Sequence, residues 1–177
     1  GFLFEYSKSV LTEKDKFYSG LNALSHRGPD SKGVWENRNI RMGHTRLSII
    51  DLNKRGDQPF KYKNLNLIYN GEIFNYKEIK AELEKLGYSF LTKSDTEVVL
   101  LAYHKWGQSC VEKFNGMWAF VIYDDFNQEI FASRDRFGIK PFFIFEHKNG
   151  YIFSSEIEPL TKFGLKLTID AEYIAQF

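Results

Sequence analysis

The sequence predicts an α+β fold, in which two antiparallel β-sheets pack together between outer layers of α-helices (αββα). The first observation is a run of four strand-like segments in the second half, joined by short connections rich in turn-forming residues. The second is a set of amphipathic helical patterns upstream of these strands. The third is composition: 177 residues, 43% hydrophobic and 17% aromatic, are enough for one domain with a sizeable core.

The first fifty residues predict a strand, a helix and a hairpin. Gly1 to Tyr6 is apolar and aromatic, which indicates a strand. Thr12 and Asp15 mark the start of a helix whose apolar face, at helical spacing, is formed by Phe17, Leu21 and Leu24. The segment SHRGPDSKG then predicts an irregular loop. From Gly33 to Asp51, β-branched and aromatic residues alternate with polar ones around a turn near Asn37 to Asn39, which indicates a hairpin.

The middle of the chain predicts one strand and two helices. Leu65 to Asn70 form a short apolar strand that we expect Asn70-Gly71 to stop. The amphipathic helix that follows is predicted to bury Ile79, Leu83 and Leu86. Ser94 and Glu97 form a capping box for the next helix. This helix is expected to end at Gly107 and to bury Val98, Leu101 and Ala102.

The second half predicts an antiparallel meander. Its four strand segments are GMWAFVIYD, QEIFASRD, KPFFIFEH and YIFSSE. The connections between them, DDFN, RFGI and KNG, are short and rich in turn-forming residues. We therefore expect one domain over residues 1–160, followed by an arm or continuation over 161–177.

Charge and cysteine content indicate which kinds of partner and which cellular compartment to expect. Lys+Arg 24 against Asp+Glu 23 gives a net charge of +1, and the basic residues are scattered, so neither nucleic acid nor an anionic membrane is indicated as a partner. The single cysteine, Cys110, fits a reducing cytosol. No apolar run approaches the roughly 20 residues of a membrane span. A cytoplasmic location is the prediction.

Asn70 and Gly71 are the first candidates for chemistry. An amide side chain and an adjacent backbone N–H can point at one position, which is what the stabilisation of a tetrahedral oxyanion requires. The alternative is structural, since Asn-Gly is also the commonest two-residue hairpin turn. The helix that follows from Phe74 counts against a hairpin.

Two charged residues are candidates for binding an amino acid. Arg46, within an otherwise apolar segment, has a fork of donors suited to a carboxylate, although an arginine on the exposed face of a strand is an equal alternative. Asp95 is the first residue of a capped helix, and its carboxylate could bind an ammonium group. The alternative is that it only complements the helix dipole.

Other reactive side chains are given structural roles. His26 and Asp30 flank a Gly-Pro turn without a second ligand at metal spacing, so no metal site is predicted. His44 and His104 are lone histidines, which are more often structural than catalytic. Cys110 has no residue arranged to activate it and is predicted to be a structural thiol.

Six motifs together resemble the glutaminase domain of glutamine-dependent asparagine synthetases, a class II amidotransferase. They are SHRGPDSKG, GHTRLSIIDL, YNGEIFNY, SDTEVVLLAY, NGMWAFVIYD and SRDRFGIKPFF. The resemblance covers Gly1 to about Leu160, and RLSIIDL with RDRFGIKPFF favours this branch over the phosphoribosyl or glucosamine-phosphate amidotransferases. It implies an N-terminal-nucleophile hydrolase fold, which agrees with the layers expected above.

The resemblance also implies a glutamine site. It assigns the carboxylate of glutamine to Arg46 and to the backbone around Ile49 and Ile50. It assigns the amino group to two carboxylates, and the oxyanion hole to a pair of donors. These residues are Glu72 and Asp95 for the amino group, and Asn70 and Gly71 for the oxyanion hole.

In such families an N-terminal cysteine attacks the amide and its own α-amine acts as the base. The sequence given opens at Gly1, which resembles the glycine a few residues after that cysteine. We therefore expect the nucleophile to lie upstream and the chain as given to be inactive. The alternative is a protein that never had the cysteine and keeps the pocket for another purpose, as a glutamine-binding or regulatory module.

The resemblance implies a C-terminal synthetase domain as partner, with residues 161–177 as the start of a linker or arm towards it. ATP and magnesium are expected in that domain, for activating aspartate or a related carboxylate. No cofactor or metal is expected in the glutaminase domain. The oligomeric state stays open, with a homodimer as one alternative.

Overall fold

The computed structural model describes residues 1–47, 56–147 and 149–168. The strands in these residues are β1 (Phe2–Ser7), β2 (Ser31–Glu36), β3 (Ile40–Arg46), β4 (Phe60–Tyr62), β5 (Leu65–Ile73), β6 (Gly116–Asp124), β7 (Glu129–Arg134), β8 (Phe143–His147) and β9 (Gly150–Ser154). The helices are α1 (Lys14–Ala23), α2 (Tyr76–Lys85), α3 (Asp95–Trp106) and α4 (Glu158–Thr161), with 3₁₀ turns at Ser25–Arg27 and Gly107–Lys113. None of these helices is long and apolar enough to cross a membrane.

The strands form two antiparallel sheets. The first sheet has the order β2-β3-β1-β9-β8 and the second has the order β4-β5-β6-β7. Strand β1 lies at the centre of the first sheet, where Phe2 pairs with His44 of β3 and Leu3 pairs with Ser154 of β9. The start of the chain is therefore held by strands on both sides.

The inner faces of the two sheets form one core between them. Alternate residues of a strand point to opposite faces, and the inward set includes Phe2 and Phe4 from β1 and Ile68 from β5. Ala119 and Val121 of β6 complete the same cluster. Burying these apolar faces against each other holds the sheets together, at about 25 cal/mol per Å² of apolar surface.

Helices cover both outer faces. Leu3 of β1 points outward and packs with Leu21 of α1 and with Leu160 of α4. On the other side, Leu67 of β5 packs with Leu101 of α3. The order of layers is helix, sheet, sheet, helix, which confirms the predicted αββα fold.

The predicted meander is wrong in one respect. Strands β6 and β7 pair in the second sheet, whereas β8 and β9 pair in the first. The chain crosses from one sheet to the other over residues 135–142. Turn signals predict which neighbours pair, but inter-sheet packing decides the sheet that each hairpin joins.

Strand β5 does not stop at Asn70-Gly71 as predicted. It continues to Ile73, and Asn70 pairs with Ala119 of β6 while Gly71 pairs with Trp118. Long-range pairing with β6 satisfies the backbone here, which overrides the local tendency of Asn-Gly to turn.

The ends of the helices also differ in detail from the prediction. Ser94 caps α3 and accepts a hydrogen bond from the Thr96 N–H, as predicted. The Glu97 carboxylate does not complete a capping box, because it accepts hydrogen bonds from the N–H groups of Leu91 and Thr92. Helix α1 begins after Glu13 rather than Thr12. Leu86, predicted to be buried, is exposed.

The substitution Phe4→Ala tests the inter-sheet core. Phe4 is fully buried, so we expect its removal to lower the free energy of unfolding by about 3–5 kcal/mol. Phe126 in the β6–β7 turn is 83% exposed, and Phe126→Ala is the matched control, with a change within about 0.5 kcal/mol. Urea unfolding followed by circular dichroism measures both, and equal losses would contradict the packing described.

Candidate active site

A polar cavity of about 370 Å³ opens at one end of the two sheets. The start of β1, the end of β3, the last residues of β5 and the first turn of α3 form its walls. It contains every predicted site residue that the structure describes, namely Arg46, Asn70, Gly71, Glu72 and Asp95. Ile49 and Ile50, the other two predicted site residues, lie outside the described residues.

Strand alternation explains why polar side chains meet here. His44 and Arg46 follow Met42 at intervals of two on β3, and Met42 belongs to the inter-sheet core. On β5, Asn70 and Glu72 follow the core residue Ile68 in the same way. On each strand, polar side chains therefore follow a core residue on the same face, where the gap opens to the cavity.

Backbone donors along the free edge of β5 point towards the cavity. The Tyr69 N–H donates to Gln58 Oε1 at 2.6 Å. The Ile73 N–H donates to Asp95 Oδ2 at 3.0 Å. Since successive N–H groups of a strand alternate in direction, the N–H of Gly71 lies on this edge between them, directed away from β6.

The side chain of Asn70 supplies a second donor next to Gly71. Its Nδ2 is buried and has no hydrogen-bond partner in the part of the chain that the structure describes. A Cβ at Gly71 would lie 2.3 Å from the Met117 carbonyl oxygen, so the position requires glycine. The hairpin-turn interpretation of Asn70-Gly71 is wrong, and the two residues present adjacent donors at the cavity.

Arg46 is not a surface residue, because only 9% of it is exposed. Its Nη1 donates to Asp57 Oδ1 at 2.9 Å, and the Ser31 hydroxyl donates to the same oxygen at 2.9 Å. This carboxylate fixes the direction of the guanidinium at the cavity wall. A guanidinium is a planar fork of donors, which is the geometry that pairs with carboxylates.

Asp95 joins α3 to β5 at the opposite wall. It is 5% exposed, and its Oδ2 accepts hydrogen bonds from the Tyr69 hydroxyl at 2.7 Å and from the Ile73 N–H. Burial raises the pKa of Asp95, while these two hydrogen bonds oppose the rise. The carboxylate thus lies at the N-terminus of α3, where it complements the helix dipole, and it also borders the cavity, where it can bind an ammonium group.

The charges around the cavity are mixed. Arg27, Arg46 and Lys140 bring positive charge, and Glu72 and Asp95 bring negative charge. Arg27 is paired with Glu156 at 2.9 Å. A wall with both signs of charge complements a zwitterion such as a free amino acid, whose carboxylate and ammonium lie at opposite sides of one carbon.

Sequence reasoning missed several residues of this site. No local pattern marks Tyr69 and Gln58, because their partners come from other elements. Arg27 and Lys140 lie within the motifs HRGPD and RDRFGIKPFF, so the motifs held a signal that was not assigned to these side chains. Asp135 positions Lys140 by accepting its N–H at 3.0 Å.

His44 was given a structural role, yet it lines the cavity. It is 5% exposed, and its Nε2 lies 3.1 Å from the Tyr69 carbonyl oxygen. Burial holds the pKa of His44 well below its usual value, so the ring is neutral. Its Nδ1 is buried without a partner among the described residues.

The other reactive side chains lie away from the cavity. His26 pairs with Glu156 near the surface, and His104 contacts the Tyr88 hydroxyl. Cys110 is fully buried in the core between α3 and the second sheet, and burial raises the pKa of its thiol to about 12. Cys110 therefore cannot act as a nucleophile at this site. The described residues contain no group of three or more potential metal ligands.

The fold of this chain is also the fold of solved amidotransferases. A solved glutamine phosphoribosylpyrophosphate amidotransferase from B. subtilis superimposes with a TM-score of 0.79 at 23% identity, over 93% of this chain and 44% of that protein. A second structure, the allosteric regulatory enzyme of purine biosynthesis, gives a TM-score of 0.77 over 92% of this chain. At this identity the likeness confirms the fold.

The family follows from sequence. Residues 4–177 match the model of the glutamine amidotransferase domain, and the chain belongs to this family. It is 40% identical to a putative glutamine-hydrolysing asparagine synthetase 2 of Methanocaldococcus jannaschii, over 88% of this chain and 33% of that protein. It is 37% identical to the glutamine-hydrolysing asparagine synthetase 3 of Bacillus subtilis, over 88% of this chain and 26% of that protein. The chain therefore spans about a quarter to a third of these relatives.

The substitution Tyr69→Phe tests the connection between β5 and α3. Without the hydroxyl, the ionised form of Asp95 loses a donor, and we expect the free energy of unfolding to fall by about 1–3 kcal/mol at pH 7. Folding raises the pKa of this carboxyl, so the folded state binds its proton more tightly than the unfolded state does. The resulting stabilisation is complete below the pKa of the unfolded chain, about 3.9, and is lost as the pH rises. Because the variant raises this pKa further, the loss should grow from about pH 4 to pH 7.

Urea unfolding at both pH values measures this effect. Tyr151→Phe is the matched control, because Tyr151 lies on β9 and is 42% exposed, whereas Tyr69 is buried. Its change should stay within about 0.5 kcal/mol. A loss in Tyr69→Phe that is equal at the two pH values would show that ionised Asp95 does not depend on the Tyr69 hydroxyl.

Proposed function

We propose that this domain hydrolyses the side-chain amide of glutamine to glutamate and ammonia. The observation that carries the proposal is the pair of adjacent donors, Asn70 Nδ2 and the Gly71 N–H, in a cavity walled by charges of both signs. Hydrolysis of an amide passes through a tetrahedral intermediate whose oxygen becomes negatively charged. Two fixed donors aimed at that oxygen stabilise it.

The charged walls support glutamine as the substrate. Arg46, held by Asp57, binds the α-carboxylate through its fork of donors. Glu72 and Asp95, across the cavity, bind the α-ammonium. With both ends of the amino acid fixed, the side chain reaches Asn70.

The proposed nucleophile is an N-terminal cysteine a few residues before Gly1. The ladder of β1 and β3 extends to Gly1, whose carbonyl accepts the Thr45 N–H at 2.8 Å. Phe2 points into the gap between the sheets. Residues that precede Gly1 therefore continue β1 towards the cavity that Asn70 lines.

Such a cysteine accounts for both half-reactions. Its thiolate attacks the amide carbon, with the α-amine as base, and the donors at Asn70 and Gly71 bind the oxyanion. When the intermediate collapses, the carbon–nitrogen bond breaks and the amine returns the proton, so that ammonia leaves. Water then hydrolyses the thioester, which releases glutamate and restores the thiol.

The length of the relatives supports a further part of the proposal. The glutamine-hydrolysing asparagine synthetases that this chain matches are three to four times longer than the matched region. This length supports a C-terminal synthetase domain, to which the ammonia is passed. That domain uses ATP and magnesium to activate aspartate or a related carboxylate. The location of such an enzyme is the cytoplasm.

Ammonia release tests the reaction. We expect the chain as given to release none from glutamine. The chain restored with the natural leading residues, from the N-terminal cysteine to Gly1 (the cysteine form), should release ammonia with turnover. Serine in place of that cysteine is the matched control and should be inactive, because its hydroxyl is a far weaker nucleophile there. In the cysteine form, Asn70→Ala should lower kcat by about 10²–10³-fold, as the loss of one oxyanion donor does elsewhere.

Two results would count against this proposal. Hydrolysis by the chain as given would show that the nucleophile lies within it. A cysteine form that binds glutamine without turnover would instead favour the second candidate, a glutamine-binding or regulatory module.

Glutamine affinity tests the carboxylate site. We expect Arg46→Ala to weaken binding by about 10–100-fold, which is typical for the loss of hydrogen bonds to a charged group. Arg38→Ala is the matched control, because Arg38 is exposed in the turn at the opposite end of β3. The glutamine affinity of the Arg38→Ala variant should stay within about twofold of that of the parent chain. Titration calorimetry with L-glutamine measures both, and unchanged binding in Arg46→Ala would place the carboxylate elsewhere.

A further inference from the structure

Two polar atoms at the mouth of the gap between the sheets lack partners among the described residues. They are His44 Nδ1 and Asn70 Nδ2, and both are excluded from solvent. A buried polar atom without a hydrogen bond destabilises a fold, so native proteins seldom leave one without a reason. Three residues that line the cavity carry such an atom, since Arg27 Nε is another, and His44 and Asn70 are the two that lie between the sheets.

The hydrogen bond at Nε2 fixes the tautomer of His44. The Tyr69 carbonyl oxygen can only accept, so the hydrogen must lie on His44 Nε2. In a neutral ring the proton on Nε2 leaves Nδ1 as an acceptor. Burial keeps the ring neutral by lowering its pKa. His44 therefore presents an acceptor, and Asn70 Nδ2 is a donor.

The fold places these two groups opposite each other. His44 points from β3 of the first sheet into the gap, and Asn70 points from β5 of the second sheet into the same gap. The imidazole is tied to the Tyr69 carbonyl, which belongs to the peptide that precedes Asn70. This hydrogen bond fixes the imidazole that carries the acceptor next to the strand that carries the oxyanion donors.

We propose that His44 Nδ1 accepts a hydrogen bond from the amide nitrogen of the bound substrate, while Asn70 Nδ2 donates to the amide oxygen. The pair recognises a primary carboxamide in one orientation. This inference rests on the proposed function, because it places a glutamine side chain in the gap.

The same pair discriminates against the product. Glutamate carries a carboxylate, which has two acceptor oxygens and no hydrogen to give to Nδ1. Its second oxygen would face a lone pair in a water-poor site, which is unfavourable. A site that hydrogen-bonds an N–H of its substrate rejects an analogue lacking that hydrogen. His44 is therefore a specificity residue that favours glutamine over glutamate.

Two substitutions separate the roles of the two ring nitrogens. In His44→Gln, the amide nitrogen lies at the ε position and can still donate to Tyr69, but the acceptor at the δ position is lost. In His44→Asn, an amide oxygen at the δ position keeps an acceptor, and the bond to Tyr69 is lost. Comparing the two variants separates a role of Nδ1 in binding substrate from a role of Nε2 in supporting the fold.

Titration calorimetry of the chain as given, with L-glutamine and L-glutamate, measures the preference. We expect His44→Gln to weaken glutamine binding by about tenfold and to change glutamate binding by less than about twofold. The preference for glutamine should then fall by about tenfold, whereas His44→Asn should keep it. A preference in His44→Gln within about twofold of the parent chain would overturn the proposal, as would equal weakening of both ligands in both variants.

A measurement on the unsubstituted chain avoids any effect of the variants on folding. In protein labelled with ¹⁵N-histidine, the Nδ1 resonance of His44 should move on saturation with glutamine, because a lone pair that accepts a hydrogen bond changes its shielding. Saturation with glutamate should leave it in place. A resonance that does not respond to bound glutamine would overturn the role of His44.

These results are separable from the proposed function. If the cysteine form fails to hydrolyse glutamine while the preference depends on His44 as expected, the reaction is wrong and the recognition stands. If hydrolysis occurs and the preference is independent of His44, the recognition is wrong and the reaction stands. A chain that binds no glutamine overturns both.

Discussion

Face-to-face packing of the two sheets is the constraint on which the rest of this molecule depends. Because side chains alternate along a strand, each inner strand sends every second residue into the gap between the sheets. Ile40 and Met42 on β3 and Ile68 on β5 are apolar members of this set and belong to the core. Beyond them, the same faces carry His44, Arg46 and Asn70. One geometric rule therefore makes both the core and the cavity.

A few long-range hydrogen bonds keep the polar end of the gap in place. Tyr69 is at the centre of them: its N–H, carbonyl and hydroxyl contact Gln58, His44 and Asp95, respectively. These partners come from a loop, from the first sheet and from α3. The donors of the next two residues, Asn70 Nδ2 and the Gly71 N–H, are thereby fixed relative to the charged walls. Preorganisation of this kind is what makes hydrogen bonds effective in stabilising a developing charge.

Membership of the glutamine amidotransferase family and the geometry of the cavity are independent observations that agree. The family rests on identity along most of the chain, whereas the geometry rests on strand register and on the burial of particular atoms. Mixed charges around adjacent donors suit a zwitterion with an amide side chain. The neutral ring of His44 adds an acceptor to those donors, so the cavity has a complement for each polar atom of a carboxamide.

The sequence by itself determined the layers and most of the elements, because hydrophobic periodicity and turn residues act locally. It marked β1, the β2–β3 hairpin and α3, and the resemblance supplied Arg46 and Asn70. Tertiary structure alone decided that β5 runs through Asn70-Gly71 and that β8 joins the first sheet, because pairing with distant strands overrides local preference. It alone also brought Tyr69 and His44 into the cavity. Their partners are remote in sequence, and no spacing in one chain encodes a contact that only the packing of two sheets creates.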